Sequence, residues 1–264
     1  MTESYNLNAT ERVPEELGLK DKNTFELYEL LQEAALDWTP DQQKQLQFAY
    51  ELIGKAHADD RHKDRPYTEH LLRVANRIAH YLDIDDPDVI IAGMLHDVVE
   101  DHALEIIDGS LLTDNHSPLP GSEDMNMMSA GEQQILALQH IEMLFSPKVA
   151  KVVAAVTNAP NDEAPVDYYQ GLEAYAKKVA TGIEDADAFY VKLCDFFCNG
   201  LGVIHDIEGQ GSKHEHFIRK YGMVQPIYEA RYEKEDIQAR LSDSAKTYVL
   251  AQFTLGRERL FGTL

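Results

Sequence analysis

Apolar residues along the chain recur at helical spacing almost everywhere. Thr39-Pro40-Asp41-Gln42 has the form of a capping box with proline at the first helical position. It opens a run to about His57 with Leu46, Ala49, Leu52, Ile53 and Ala56 on one face. Asp86-Pro87 opens a second helix whose body, Val89 to Val99, is almost wholly apolar, the mark of a helix buried on most sides. Ser146-Pro147 opens a third. Further helices are predicted at Thr24 to Leu36, Glu69 to Leu82, Gly131 to Leu144, Val166 to Thr181, Asp187 to Ile204, Phe217 to Ala239 and Ser242 to Leu255. No convincing alternating strand pattern occurs. The expected class is therefore all-α, a bundle of about ten helices. Asp108 to Gly131, rich in Gly, Ser, Pro, Asn and Asp, reads as a long insertion loop, and Asn158 to Pro165 and Gly209 to Lys213 as shorter ones.

None of these loops has the character of an interdomain linker, because similar helical segments flank each. With 264 residues, the chain is expected to form a single domain, 1–264, with a core over about 24–205 and C-terminal helices over 215–257 packing on it.

Charge narrows the partners. The net charge of −22 repels polyanions, which argues against nucleic acid and against anionic membrane. The longest apolar stretch, Phe189 to Ile204, is interrupted by Lys192, Asp195 and Asn199 and is too short to span a bilayer. Two cysteines, Cys194 and Cys198, make no disulfide framework, and Met1 to Pro14 has neither a basic nor an apolar leader region, so the expected location is cytoplasmic.

Candidate chemistry concentrates in Met94-Leu95-His96-Asp97-Val98-Val99-Glu100-Asp101. On a continuous helix His96 stacks with Glu100 and Asp97 with Asp101, giving one polar edge on an apolar cylinder. Four ionisable groups there need compensation, and a divalent cation supplies it. Imidazole with carboxylate and no thiolate suits Mn, Fe or Zn better than Ca or Mg. The competing reading has His96 as a satisfied core histidine and the acids in water. A second apolar helix places Lys192, Asp195 and Asn199 at i, i+3 and i+7. Between Gly54 and His80 the chain turns net basic, with Arg61, Lys63 and Arg65 beside His57, as a small anionic ligand requires. A solvated loop is the alternative.

Taken in order, these residues resemble the HD phosphohydrolase superfamily, whose pattern is a His, then a His-Asp pair, then a distant Asp, holding one or two metals on a helical bundle. The run Ala56-His57, Pro66-Tyr67, His70, Val74-Ala75, Leu95 to Asp101, Val156-Thr157, and Val191 to Asp195 with Asn199 is similar to the hydrolase domain of the RelA/SpoT family. The similarity covers about Phe48 to Glu105, Phe145 to Thr157 and Phe189 to Asn199, with a weaker stretch at Arg219 to Pro226. The chain departs from the pattern in a shorter loop after His57, in Leu71 where a proline is usual, and in Phe196 and Cys198 where Arg and His are usual.

The resemblance implies removal of the 3'-pyrophosphate from guanosine tetra- or pentaphosphate by a stand-alone small alarmone hydrolase. It implies Mn2+, with Fe or Zn as alternatives, on His57, His96, Asp97 and Asp195, and Glu100 and Asp101 as catalytic acid and base. It also implies a nucleotide held by Arg61, Lys63, Arg65, Tyr67 and Asn199. A homo-oligomer and a cognate alarmone synthetase toxin are compatible partners. Competing readings are a nucleotidase or NADPH phosphatase of the same superfamily, and a regulator that binds the nucleotide without cleaving it.

Overall fold

The computed structural model describes residues 18–62, 65–112, 125, 127–158, 168–203 and 211–262. It is all-α. Helices α1 (Thr24–Ala34), α2 (Pro40–Ala56), α3 (Thr68–His80) and α4 (Pro87–Leu95) are followed by the short α5 (Val98–Asp101) and α6 (Ala103–Ile107). Then come α7 (Ala130–Leu144), α8 (Pro147–Val156), α9 (Tyr168–Gly182) and α10 (Ala186–Phe196), which runs into a π-helical segment, Phe197–Val203. The described chain ends with α11 (Ser212–Tyr232), α12 (Glu235–Gln238) and α13 (Asp243–Phe261).

Capping chemistry sets the helix starts. Asn23, Thr39 and Ser129 each accept from the third helical N–H while Glu26, Gln42 and Glu132 return the bond, closing three capping boxes. Asp86 and Ser146 cap helices that begin with proline.

Helix α4 is the axis of the bundle. Every residue from Val89 to Leu95 is buried, and α2, α3, α8 and α10 surround it. At about 1.5–3 kcal/mol for each fully buried large aliphatic side chain, this apolar helix is a principal stabilising element. Gly93 lets α3 approach, since a Cβ there would lie 2.6 Å from Ile78 Cδ1. Buried side chains form one cluster from Leu19 to Leu260, so α11 and α13 pack on the same core as the earlier helices. Among the described residues no helix is long and apolar enough to cross a membrane.

Three elements differ from the expected pattern. The apolar run does not continue as one helix through Val99 but breaks at His96-Asp97. Asp187 to Ile204 divides into α10 and the π segment, and Phe217 to Ala239 begins earlier and stops at Tyr232 before the short α12. A two-residue antiparallel ladder, Arg61–His62 with Arg65–Pro66, closes the turn after α2. It is too short to carry an alternating pattern. Residues 113–124 of the insertion loop, 159–167 and 204–210 lie outside the described residues.

Candidate metal centre

The break after Leu95 creates the site. On a regular helix, neighbouring side chains diverge by about 100°. Here Asp97 stays in the right-handed region but off the regular helical values (φ −104°, ψ −11°), and His96 Nε2 comes within 3.0 Å of Asp97 Oδ2. Asp101 still follows Asp97 by one turn, its N–H donating to Asp97 O at 2.9 Å, and the pairing of the neighbours His96 and Asp97 is added to that expected arrangement. His96 Nδ1 donates to Gly93 O at 2.8 Å, and that bond directs the Nε2 lone pair toward the carboxylates. Nε2 itself is buried with no hydrogen-bond partner.

Asp195, in the last turn of α10, places Oδ1 3.6 Å from His96 Nε2 and 3.3 Å from His70 Nε2. His70 Nε2 is also 3.9 Å from Asp97 Oδ2. Two imidazoles and two carboxylates from α3, the α4 end and α10 thus converge on one point. Donor atoms of His70, His96 and Asp97 all lie within 4.8 Å of one another, close enough to share an ion. An imidazole nitrogen buried without a hydrogen-bond partner, facing carboxylates, is what a divalent cation would satisfy, so the donor set fits one.

The structure puts His70 where His57 was expected. His57 caps the C-terminus of α2 and turns Nδ1 to Asp60 Oδ2 at 2.8 Å, in a separate cluster with His102. Both histidines precede the His-Asp pair in sequence. Only His70 lies on the buried face of α3, which packs against α4 and α10.

Charges within the cluster compensate one another. Burial alone would raise Asp97 and Asp195. The adjacent imidazoles prevail, holding both carboxyls below the usual carboxylate range. Burial pulls His96 and His70 down, but Asp97 and Asp195 reverse that for His96, and Asp195 and Cys198 for His70, leaving both imidazoles raised. Asp101 behaves differently. Although its carboxyl reaches the rim, the protein packed around it, then the charges of Asp97 and Glu100, push it up to about 6. An acid whose pKa rises on folding costs stability across the window between its unfolded and folded values, here from 3.8 to about 6. In chelator-treated protein, Asp101→Asn is therefore expected to match wild type below that window. The variant should gain over wild type as pH climbs through it, reaching about 1 kcal/mol above about pH 6 after solvent screening. Urea melts at about pH 3 and 8 check this, and an equal effect at both removes the charge argument.

Other expected site residues bind the cluster's carboxylates. Tyr67 O–H donates to Asp97 Oδ2 at 2.7 Å, and Asn199 Nδ2 donates to Asp195 Oδ1 at 2.7 Å from the π segment. Glu100 accepts from Asn158, whose main-chain N–H reaches Oε2 at 2.9 Å and whose Nδ2 reaches both oxygens at 3.0 and 2.8 Å. Sequence reasoning did not identify Asn158; its one signal was its place directly after Val156-Thr157.

The expected phosphate clamps are differently disposed. Arg61 donates to the main-chain oxygens of Ala58 and Asp60. Lys63 lies outside the described residues. Arg65 pairs with Glu69, whose side chain is 5% exposed, and donates to the main-chain oxygens of Lys20 and Lys22. Arg65 therefore anchors the segment before α1 to α3. Arg65→Ala is expected to destabilise by about 1–3 kcal/mol, because the Glu69 carboxylate keeps only the 3.5 Å contact with Arg73. KM should change less than about twofold. A KM rise with unchanged melting would restore Arg65 as a clamp. Two other cations adjoin the cluster. Lys192 Nζ is 3.8 Å from Asp195 Oδ2, and Lys220 Nζ sits 4.5 Å over the Tyr175 ring, with burial lowering its pKa.

No family model matches the sequence, and no curated protein matches it. Among solved structures, the chain is similar to one described as a metazoan ortholog of SpoT that hydrolyzes ppGpp and plays a role in starvation responses, at 19% sequence identity and a TM-score of 0.46, over 79% of this chain and 96% of that chain.

Proposed function

We propose that this protein hydrolyses a 3'-pyrophosphorylated nucleotide, guanosine 3',5'-bis(diphosphate) or a related alarmone, and releases pyrophosphate. The observation that carries the reading is the convergence of His70, His96, Asp97 and Asp195, with Glu100 and Asp101 following on the next helical turn. The ordered run from His96 to Asp101, similar to the RelA/SpoT hydrolase, supports the substrate class. His70, His96, Asp97 and Asp195 would hold one Mn2+, with Fe or Zn as alternatives. When bound there, such an ion supplies positive charge to the reacting phosphoryl group and a water of lowered pKa.

The chain's own groups do the rest. Tyr67 and Asn199 hold Asp97 and Asp195 in their orientations through single hydrogen bonds. Glu100, fixed by Asn158, is placed to orient or deprotonate the attacking water. Asp101, with its pKa near 6, can carry a proton close to neutral pH and is suited to deliver it to the leaving 3'-oxygen. Lys192 and Lys220, deeper than Arg61 or Arg65, are the cations available to the substrate phosphates.

Product analysis of Mn2+-reconstituted protein tests the reading. Stoichiometric guanosine 5'-diphosphate and pyrophosphate from the tetraphosphate support it. Orthophosphate released from NADPH or nucleoside monophosphates in preference would replace it with the phosphatase alternative. Tight nucleotide binding without turnover would make the protein a regulator.

A further inference from the structure

We propose that His57, Asp60 and His102 form a second divalent-cation site, of the zinc class, separate from the cluster of His70, His96, Asp97 and Asp195. His57 Nδ1 lies 2.8 Å from Asp60 Oδ2, His102 Nε2 lies 2.9 Å from the same oxygen, and the two nitrogens are 3.2 Å apart. Each side is shorter than about 3.4 Å, the edge of a tetrahedron with arms of about 2.1 Å, so one position lies within bonding distance of all three atoms. Two imidazoles and one carboxylate, with a fourth position open, match zinc better than calcium or magnesium.

Hydrogen bonding alone serves this triangle poorly. If both rings donate to Asp60, its oxygen accepts both, but the two ring nitrogens are then donors held 3.2 Å apart with no bond between them. Behind the cluster, Glu105 Oε1 stands 3.5 Å from His102 Nδ1. That carboxylate holds the proton on Nδ1 and leaves the Nε2 lone pair facing the other donors, the arrangement that orients a ligating histidine. The His57 side chain is fully buried, with Nδ1 turned to the other two donors. Access comes through Asp60, whose side chain is 43% exposed.

The two clusters are neighbours. The Tyr67 ring lies 4.9 Å from the His57 ring and 5.3 Å from the His70 ring. A cation on the second cluster would add positive charge beside the first, in a protein of net charge −22, where a phosphorylated anion needs local attraction.

Zinc titration of chelator-treated protein tests this, read by calorimetry and by the visible spectrum of Co2+ used in place of Zn2+. Wild type should bind about two ions per chain, and His102→Gln and Asp60→Asn each about one, with the affinity of the lost site reduced at least about tenfold. Asp195→Asn, which disables the first cluster, should retain one ion and lose it when combined with His102→Gln. That pair separates this site from the catalytic reading, since the ion retained in Asp195→Asn does not depend on turnover. A wild-type stoichiometry of one ion, unchanged by His102→Gln in protein of native circular dichroism, overturns the proposal. So does loss of a single shared ion in both His102→Gln and Asp195→Asn.

Discussion

His70→Ala is expected to lose Mn2+-supported turnover and tight Mn2+ binding together, whereas His57→Ala keeps tight Mn2+ binding. The contrast follows from geometry. His70 Nε2 is 3.3 Å from Asp195 and 3.9 Å from Asp97, while His57 directs Nδ1 to Asp60 and is absent from that donor group. Removing one of four converging donors should exceed the about 10- to 100-fold that loss of an outer hydrogen-bond partner costs. His70 is buried on α3, so its replacement also leaves a cavity. His70→Gln, which keeps volume and a polar tip, separates misfolding from ligand loss. Electron paramagnetic resonance of free and bound Mn2+, with initial rates on the same samples, reads both quantities. Retained binding in His70→Ala with loss in His57→Ala would return the fourth donor to His57.

That reversal shows what the sequence could and could not disclose. The polar interruptions of two apolar helices, His96-Asp97 and Asp195, pointed to three of the four converging residues, because ionisable groups do not sit on a buried face without compensation. The choice between His57 and His70 was not accessible in the same way. Both precede the pair, and the basic run after His57 drew attention to that residue and away from His70. What separates them is tertiary: α3 packs against α4 and α10, whereas His57 is the last capped residue of α2.

Helix positions were legible wherever a cap and an apolar stripe coincided, as at Thr39-Pro40, Asp86-Pro87 and Ser146-Pro147. Breaks inside apolar runs were not. Periodicity across Val89 to Val99 is continuous, and nothing local announces that the helix stops at Leu95. The interruption is held by long-range partners, Asp195 for His96 and Tyr67 for Asp97. The π segment after Phe196 is similar in kind, since a single-residue shift in bond register leaves composition unchanged. Charge runs leave a further ambiguity. Arg61 and Arg65 satisfy main-chain oxygens and a buried Glu69, uses that a count of basic residues cannot distinguish from phosphate binding.

Glu100→Gln should bind the metal and the nucleotide as wild type does, yet lose about 10² to 10⁴-fold in kcat, the worth of a positioned acid or base. Two separate consequences add up in that variant. The amide cannot take a proton from the attacking water. Its NH2 group, placed where Oε1 was, also faces the Asn158 Nδ2 donor, while the amide oxygen can keep the two bonds made at Oε2, so one of the three contacts becomes donor against donor. Asn158→Ala isolates the second effect. Glu100 remains a carboxylate there but loses its side-chain donor, while the main-chain bond at 2.9 Å persists, so kcat should fall by only about 10- to 100-fold. KM should hold in both variants, because neither residue is assigned to the substrate phosphates. Single-turnover rates complete the test by separating the chemical step from binding and product release. Wild-type kcat in Glu100→Gln would confine Glu100 to anchoring residue 158 against α5 and leave Asp101 as the acid–base residue at this end of the site.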